Sequence, residues 1–549
     1  MFYRDIFKLL GTFFCGFSLT LLFPLAVCLY YEYYLPPEQH LQPHATFAFF
    51  ETFVMCLALG LGLRWVGRKA IGHLYLREGL IIVVLMWFTT PFIAGLPFYL
   101  SGTLNNPLHA YFEAVSGFTT TGATVMDAKS YDPLTGNEIE RQRTIPGIVD
   151  TTYRYSGTIT PVRNPQTGLV LFSGVEAVNK GLLWWRSFIQ WLGGVGIVVL
   201  FVAVLPALGV GGKILLFAEM PGPLKDSLTP RIKETAAMLW KIYLGLTVLQ
   251  IAILRLTNDQ IGWYDAFTIT FSTLSTGGFT TRNANIGAFN NGYTDWVVIA
   301  FMLAGSLNFS LYFHAIRGKV YRIYEPEFFI FLCIVLFSAA FAVYELYGTQ
   351  NVLLTGQSQT FDLYDAIRYG TFQTVSAQTS TGFATADYVR WPYAIQTLML
   401  IIMFIGGMSG STAGGIKVAR PYILFHIVQT RVESMFRPEA VRLLRIGNRE
   451  ISTSVAITIM CYFVIVVFFT VLGIFLLTWD GLDPETALAT ITCMINNIGL
   501  GFRMGGPTES FAFLSNFGVV VSSLWMILGR LEFYAILVLL VPAFWRQDS

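Results

Sequence analysis

Four short glycine-centred segments carry the chemistry that the residue types and spacing of this chain can support: Thr120, Thr121 and Gly122; Thr276, Gly277 and Gly278; Ser380, Thr381 and Gly382; and Asn497, Ile498 and Gly499. Each follows a short apolar stretch lying between two of membrane length. A cation leaving water loses its hydration shell, and backbone carbonyls with threonine or serine hydroxyls can replace it without a fixed charge that would trap the ion. Potassium fits that chemistry. The expectation is an ion-binding filter in which these twelve residues, drawn from four parts of one polypeptide, converge on a single axis. Glycine is needed at each bend because φ > 0 carries no steric penalty there, and irregular backbone at membrane depth requires burial in protein or a wet cavity.

A second constellation is Gly406, Gly407, Gly410, Gly414 and Gly415, which interrupts an apolar span. Glycine costs about 1 kcal/mol against alanine inside a helix, so this stretch is expected to open into a gating loop. The alternative is a close small-residue helix contact. Arg530 and Glu532 sit inside the last span, where charge is costly unless paired or wet. Arg530 is expected to point into the pore and touch the glycine loop, or to join Glu532 in an ion network, or both. Glu113 is expected to hold filter backbone rather than the ion. Lys417 marks either a cytoplasmic exit or an ordinary positive-inside residue.

These residues need a membrane scaffold to position them. Of 549 residues, 54% are hydrophobic and 12% charged, against about 25% charged in a soluble protein. Ten apolar runs reach the ~20 residues needed to span a bilayer: 8–34, 45–66, 79–100, 181–209, 236–256, 295–315, 327–347, 392–428 with an interruption, 451–478 and 512–545. The first is too long for a signal peptide and is read as a retained helix. All six cysteines fall in or beside these runs and are read as packing residues. The formal charge of +2 implies no nucleic-acid partner. Lys and Arg cluster in alternate connections: Arg64 to Arg77, Lys213 to Lys233, Arg317 to Arg322, Lys417 to Arg449, and Arg546. By the positive-inside rule those face the cytoplasm, both termini are inside, and every glycine segment re-enters from outside.

The fold class expected is an all-α polytopic membrane protein: two leading helices, then four repeats of helix, re-entrant pore helix, filter and helix around one pore. The central glycines are 156, 104 and 117 residues apart, and removing an insertion of roughly 45 residues from the first interval leaves a period of about 110. Residues 112–122 align without gaps on 372–382, sharing Phe, Val, Ser, two Thr and Gly. The divisions are 1–77 for the leading helices, 78–232 for repeat one with the external insertion 127–173, 233–324 for repeat two, 325–448 for repeat three with the loop 406–415, and 449–549 for repeat four. Turn signals mark the insertion as a small loop or a strand-bearing cap.

Catalytic chemistry is poorly supported. Gly211, Gly212 and Lys213 lack the first glycine and the Ser or Thr of a phosphate loop. No zinc-protease helix or paired Cys motif occurs, and the six histidines are scattered, so no cofactor is expected and the chain is read as not an enzyme.

The segments 116–124, 190–197, 271–279, 381–385, 410–418, 496–499 and 528–532 resemble the Trk, Ktr and HKT superfamily of potassium transporters, specifically the bacterial TrkH-type membrane subunit. The resemblance covers nearly the whole chain. It implies potassium uptake through a gated pore in the bacterial cytoplasmic (inner) membrane, a homodimer, and a cytosolic regulatory ring with nucleotide-binding domains. It also implies potassium preference, because Gly122 stands where sodium-preferring plant relatives carry serine. Typical members lack the insertion. Potassium symport with H⁺ or Na⁺ is the alternative within transport, and a membrane-embedded enzyme the alternative outside it.

Overall fold

The computed structural model describes residues 3–36, 38, 40–70, 75–132, 135–146, 150–164, 166–194, 196, 232–319, 324–437, 445–446 and 449–546. Helices follow the order of the apolar runs. α1 (Tyr3–Thr20) and α2 (Leu22–Leu29) continue through a π turn at Tyr30–Tyr34 as one membrane-length helix. It packs on α3 (Thr46–Val66), where a Cβ at Gly11 or Gly60 would strike the opposite backbone. Small residues let the two backbones approach that closely.

Four sets of helices follow, each containing a short helix after a long one. First come α4 (Leu76–Leu100), α5 (Pro107–Phe118) and α6 (Lys180–Gly194). Next are α7 (Ile232–Thr257), α8 (Trp263–Leu274), α9 (Gly292–Ser306) and α10 (Phe309–Ile316). The third set is α11 (Pro326–Leu346), α12 (Leu363–Gln378), α13 (Tyr393–Ile405) and α14 (Ala419–Phe436). The last is α15 (Thr453–Trp479), α16 (Pro484–Ile495), α17 (Asn516–Arg530) and α18 (Tyr534–Leu540).

The short helices α5, α8 and α16 have 12 residues each, roughly 18 Å at 1.5 Å per residue and too short to cross a bilayer. Three of the four short helices start at side-chain caps: Asn106, Asp362 and Asp483 accept from the backbone N–H of Leu108, Asp365 and Thr486, satisfying donors that a helix start leaves orphaned. The long helices form the outer face. Only 22% of the most apolar window of α15 and 28% of that of α11 are buried, and Val464, Val467, Phe468 and Val471 of α15 point outward. In a chain of this hydropathy, that surface faces lipid. The core lies inside, where Phe17, Phe118 and Trp185 join the leading helices to α5 and α6.

Two runs expected to be continuous are sharply broken. Residues 295–315 bend by 94° between α9 and α10, and residues 512–545 bend by 111° between α17 and α18. At the first break Asn308 caps α10, accepting from Ser310 N at 2.9 Å, while Phe309 N donates out of the helix to the Gly410 carbonyl. At the second, Glu532 and Phe533 take left-handed φ of 53° and 63°. The expected interruption in 392–428 lies between Ile405 and Ala419. Each helix that follows a glycine segment therefore ends after 13 to 15 residues. Most of the run 195–209, the basic residues Lys213, Lys225, Arg231, Arg322 and Arg442, and the Gly211–Lys213 stretch lie outside the described residues.

The stretch 127–173 forms three antiparallel two-stranded ribbons: β1 (Ser130–Tyr131) with β2 (Glu138–Ile139), β3 (Arg141–Ile145) with β4 (Thr151–Tyr155), and β5 (Val162–Arg163) with β6 (Val170–Phe172). The β3–β4 ribbon rests on the fourth unit. Tyr153 donates its hydroxyl to Asp483, Arg143 pairs with Glu509, and the Tyr153 ring meets Phe513 edge-on at 5.6 Å.

Candidate functional site: a closed ring of glycine segments

The four short helices end in one way. Thr120, Thr276, Ser380 and Asn497 all take φ between 53° and 55°, and two residues on, Gly122, Gly278, Gly382 and Gly499 all take φ between 80° and 82°. A non-glycine residue in the left-handed region costs about 1–3 kcal/mol, most for the β-branched Thr120 and Thr276 and less for Asn497, so the same conformation repeated four times marks a backbone path held by its surroundings.

The segments close on one another. A Cβ at Gly122 would collide with the carbonyl oxygen of Gly277, one at Gly278 with that of Thr381, one at Gly382 with that of Ile498, and one at Gly499 with that of Thr121. The cycle runs from the first segment through the second, third and fourth and back to the first. Glycine is thus required twice over, by its φ and by the neighbouring carbonyl. All twelve residues singled out in the sequence come together here.

The hydroxyls do not all join the carbonyls. Thr121 and Thr381 share hydrogen bonds with the hydroxyls of Thr119 and Thr379 at 2.7 and 2.8 Å, a correspondence that follows the alignment of the first and third segments. Thr276 and Ser380 donate to the backbone carbonyls of Ser275 and Thr379. Asn497 donates to the Thr121 hydroxyl and the Met526 carbonyl. Only Thr120 keeps a buried hydroxyl with no protein partner among these side chains. The other hydroxyls of these segments are thus engaged within the protein.

Buried charge pairs brace the segments. Glu113 on α5 accepts from Thr124 Oγ1 and Val125 N, beyond its own glycine, and pairs with Arg186 of α6 at 2.5 Å. Arg186 lies over the Phe279 ring and donates to the Thr280 carbonyl at 3.0 Å, joining the first segment to the second. Asp295 of α9 and Arg368 of α12 form a second buried pair, at 2.6 Å. Sequence reasoning found Glu113 and missed Arg186, whose signal was a lone arginine inside an apolar run.

Below the ring lies the glycine loop. Gly414 donates to the Ser380 hydroxyl, and a Cβ on it would strike the Asn496 carbonyl. Thr412 donates toward the carbonyls of Leu274 and Gly305, both 2.9 Å away. Gly407 packs on Ser306 and Gly410 on Asn308, while Gly406 and Gly415 lie against each other at the loop's base. The loop thus touches the second, third and fourth units from beneath. Arg530 donates to the Thr412 carbonyl at 3.0 Å and to those of Gly193 and Gly194 at 2.8 and 3.2 Å. Glu532 pairs with Arg420. Lys417 and Arg420, counted in the sequence among cytoplasmic-loop charges, are buried within the bundle, with Lys417 donating to the Ala413 carbonyl. Glu327 of α11, unremarked in the sequence, accepts from Ser409 N at 2.6 Å and anchors the loop from outside. Beside the loop is a cavity lined by Trp87, Leu239, Phe309, Lys417, Asn497 and Arg530.

Known proteins agree with this architecture. Residues 161–547 match the TrkH family model, described as a cation transport protein; the match begins inside the ribbon-bearing stretch. The Trk system potassium uptake protein TrkH of Salmonella typhimurium is 32% identical over 553 aligned residues, with 100% of each chain covered. TrkG of Escherichia coli is 33% identical, with 97% of this chain and 98% of that one covered. The crystal structure of the potassium transporter TrkH from Vibrio parahaemolyticus superposes with a TM-score of 0.77 at 29% identity, covering 100% of both chains. With a family model over most of its length, full-length relatives and a matching helical fold, this chain belongs to the TrkH family of cation transport proteins and is an integral membrane protein.

Proposed function

We propose that the protein takes up potassium across the bacterial inner membrane through a single pore formed by four repeats, with the glycine ring as its filter and the Gly406–Gly415 loop as its gate. It is a transporter and not an enzyme. The observation that carries the reading is the cyclic fit of Gly122, Gly278, Gly382 and Gly499 against one another's carbonyls, which supports four sets of oxygens facing one axis. The C-terminal ends of α5, α8, α12 and α16 lead into that ring, and their partial negative charge favours a cation. Carbonyls then take the place of water around the ion, and the membrane potential drives entry with about 2.3 kcal/mol per charge per 100 mV.

Beneath, the loop blocks the way inward, and Arg530 both pins it through the Thr412 carbonyl and puts positive charge on the cation's path. Opening requires those bonds to break. We infer that a cytosolic nucleotide-binding ring supplies this signal and that the subunit pairs as a homodimer, which accords with relatives named as parts of a Trk system. In this reading both termini are cytoplasmic, and the repeats fall at 78–232, 233–324, 325–448 and 449–549.

The test is rubidium uptake in a host lacking its own potassium uptake. Gly499→Asp abolishes uptake while the protein still reaches the membrane; undiminished uptake overturns the pore assignment. Reconstituted flux with an imposed H⁺ or Na⁺ gradient separates passive entry from symport.

A further inference from the structure

The four glycine segments are equal in backbone but not in what stands behind them. The residue before each central glycine is Thr121, Gly277, Thr381 or Ile498, so the second segment alone has no side chain there. The vacant place is filled. A Cβ added to Gly277 would meet the amide group of Gln190 and all three of its heavy atoms. Gln190 projects from α6, is fully buried, and spans the second segment on both sides of Gly278. Its Nε2 donates to the Gly277 carbonyl at 2.6 Å and its Oε1 accepts from Phe279 N at 3.2 Å. The second bond fixes which way the amide faces, because only the oxygen can accept.

The Gly277 carbonyl is the oxygen against which Gly122 closes. Among the described residues no protein donor reaches the corresponding oxygens of Thr121, Thr381 or Ile498. We infer that Gln190 is a specificity-determining positioning residue: its amide replaces the missing side chain of residue 277, holds the Gly277 carbonyl in place, and draws on one of four otherwise equivalent oxygens. The inference rests on the ring being the filter. A carbonyl engaged by a donor has a lone pair taken and carries the donor's positive hydrogen beside it, so it offers a cation a weaker net field and less freedom to move inward. Sodium, the smaller ion, needs its oxygens drawn closer than potassium does, so a tethered carbonyl disfavours it. A filter with one tethered and three untethered oxygens also holds its ion less tightly than four equal ones and releases it more readily.

The experiment compares Gln190→Ala, Gly277→Thr and the double variant in full-length protein, with membrane level and detergent-solubilised elution profile as controls for folding. Rubidium and sodium uptake are read as KM, maximal rate and Na⁺/Rb⁺ ratio. Gln190→Ala is expected to raise the Na⁺/Rb⁺ ratio about fivefold, the size that follows from losing one hydrogen bond of ordinary net strength, with a lower KM for rubidium. Gly277→Thr loses uptake, because its side chain falls on the glutamine amide. The double variant regains uptake, since Thr then sits as it does at positions 121 and 381. An unchanged ratio and KM in Gln190→Ala, or full uptake by Gly277→Thr with Gln190 present, overturns the inference. Gly499→Asp run alongside keeps the two questions apart: if it transports normally the filter reading fails, whereas if it is dead while the Gln190 variants match the parent, only the role of Gln190 fails.

Discussion

Asn497 donates its side-chain amide to the hydroxyl of Thr121 at 3.0 Å, tying together residues 376 positions apart in the chain. The bond lies at the seam where the fourth glycine segment meets the first. The other seams join successive units, but this one joins the last to the first and so closes the ring. Asn497 also sits at φ 53°, where asparagine is tolerated better than most residues. Asn497→Ala therefore loses the seam bond and raises backbone strain together. The expected result is a loss of about 1–3 kcal/mol of stability, seen as a lower unfolding temperature in detergent, with a raised KM for rubidium. Asn497→Asp keeps the left-handed preference but loses the donor, so it should recover the stability more than the KM.

The loop beneath the ring is held at two points that can be cut separately. Arg530→Ala removes the bond to the Thr412 carbonyl and a positive charge from the path, so rubidium entry without the cytosolic ring is expected to rise. Glu327→Gln weakens the acceptor for Ser409 N and should raise basal entry less, because a neutral amide oxygen can still accept. Trimming the Gly406–Gly415 loop should give the highest basal entry of the three. Reconstituted flux ranks them, and unchanged flux in all three rules the loop out as a gate.

Arg186 links Glu113 to Thr280 in a setting where Arg186 is 3% exposed and Glu113 0%. Removing one partner of such a buried pair costs about 3–5 kcal/mol, because the other charge is left uncompensated. Arg186→Met is expected to abolish accumulation of folded protein. The joint variant Arg186→Met with Glu113→Gln should recover much of it, measured as monodisperse protein after extraction. If the double variant is no better than the single, the pair is not acting as a unit.

The parts of this architecture legible in the sequence were those governed by local chemistry. Threonine beside glycine after a short apolar helix gave away three of the segments, the fourth, Asn497 to Gly499, was found by its short apolar approach and its place in the repeat, and five glycines in ten residues gave away the break after Ile405. The breaks at Asn308 and at Glu532 were hidden, because Leu307, Phe309, Leu531 and Phe533 keep the local pattern apolar and the bends are made by contacts with the glycine loop and by left-handed φ. Lys417 and Arg420 looked like cytoplasmic charges since nothing nearby in sequence shows that Glu532 and the Ala413 carbonyl wait for them. Gln190 was visible only as a polar residue in an apolar run. Its meaning depends on Gly277, 87 positions away, and a pairing over that distance leaves no periodic trace.

The β3–β4 ribbon is held to the fourth unit by a bond whose strength depends on pH. Tyr153 donates its hydroxyl to Asp483, and Asp483 also accepts from Thr486 N at 2.9 Å. Burial opposes ionisation of Asp483, but the Tyr153 and Thr486 donors outweigh it and hold the carboxyl below its ordinary value. Burial and the bond to Asp483 push Tyr153 up to about 12. A carboxyl whose folded pKa is depressed contributes stability that is present above its unfolded value of about 3.9 and is lost as pH falls through the lower folded value. Tyr153→Phe keeps the ring against Phe513 and removes the hydroxyl, both as donor to the Asp483 carboxylate and as acceptor from Asp483 N at 3.0 Å. At neutral pH the variant should unfold at a lower temperature, by an amount matching about 1 kcal/mol for one partly exposed hydrogen bond. On acidification below pH ~4 the parent loses the carboxylate's share of its advantage as Asp483 protonates, and the gap between the two melting temperatures should narrow. Scanning calorimetry from pH 7 to pH 3 follows the difference directly. A gap that stays constant across that range would mean that the hydroxyl acts through its bond from Asp483 N alone and that the ribbon is not latched to the fourth unit by charge.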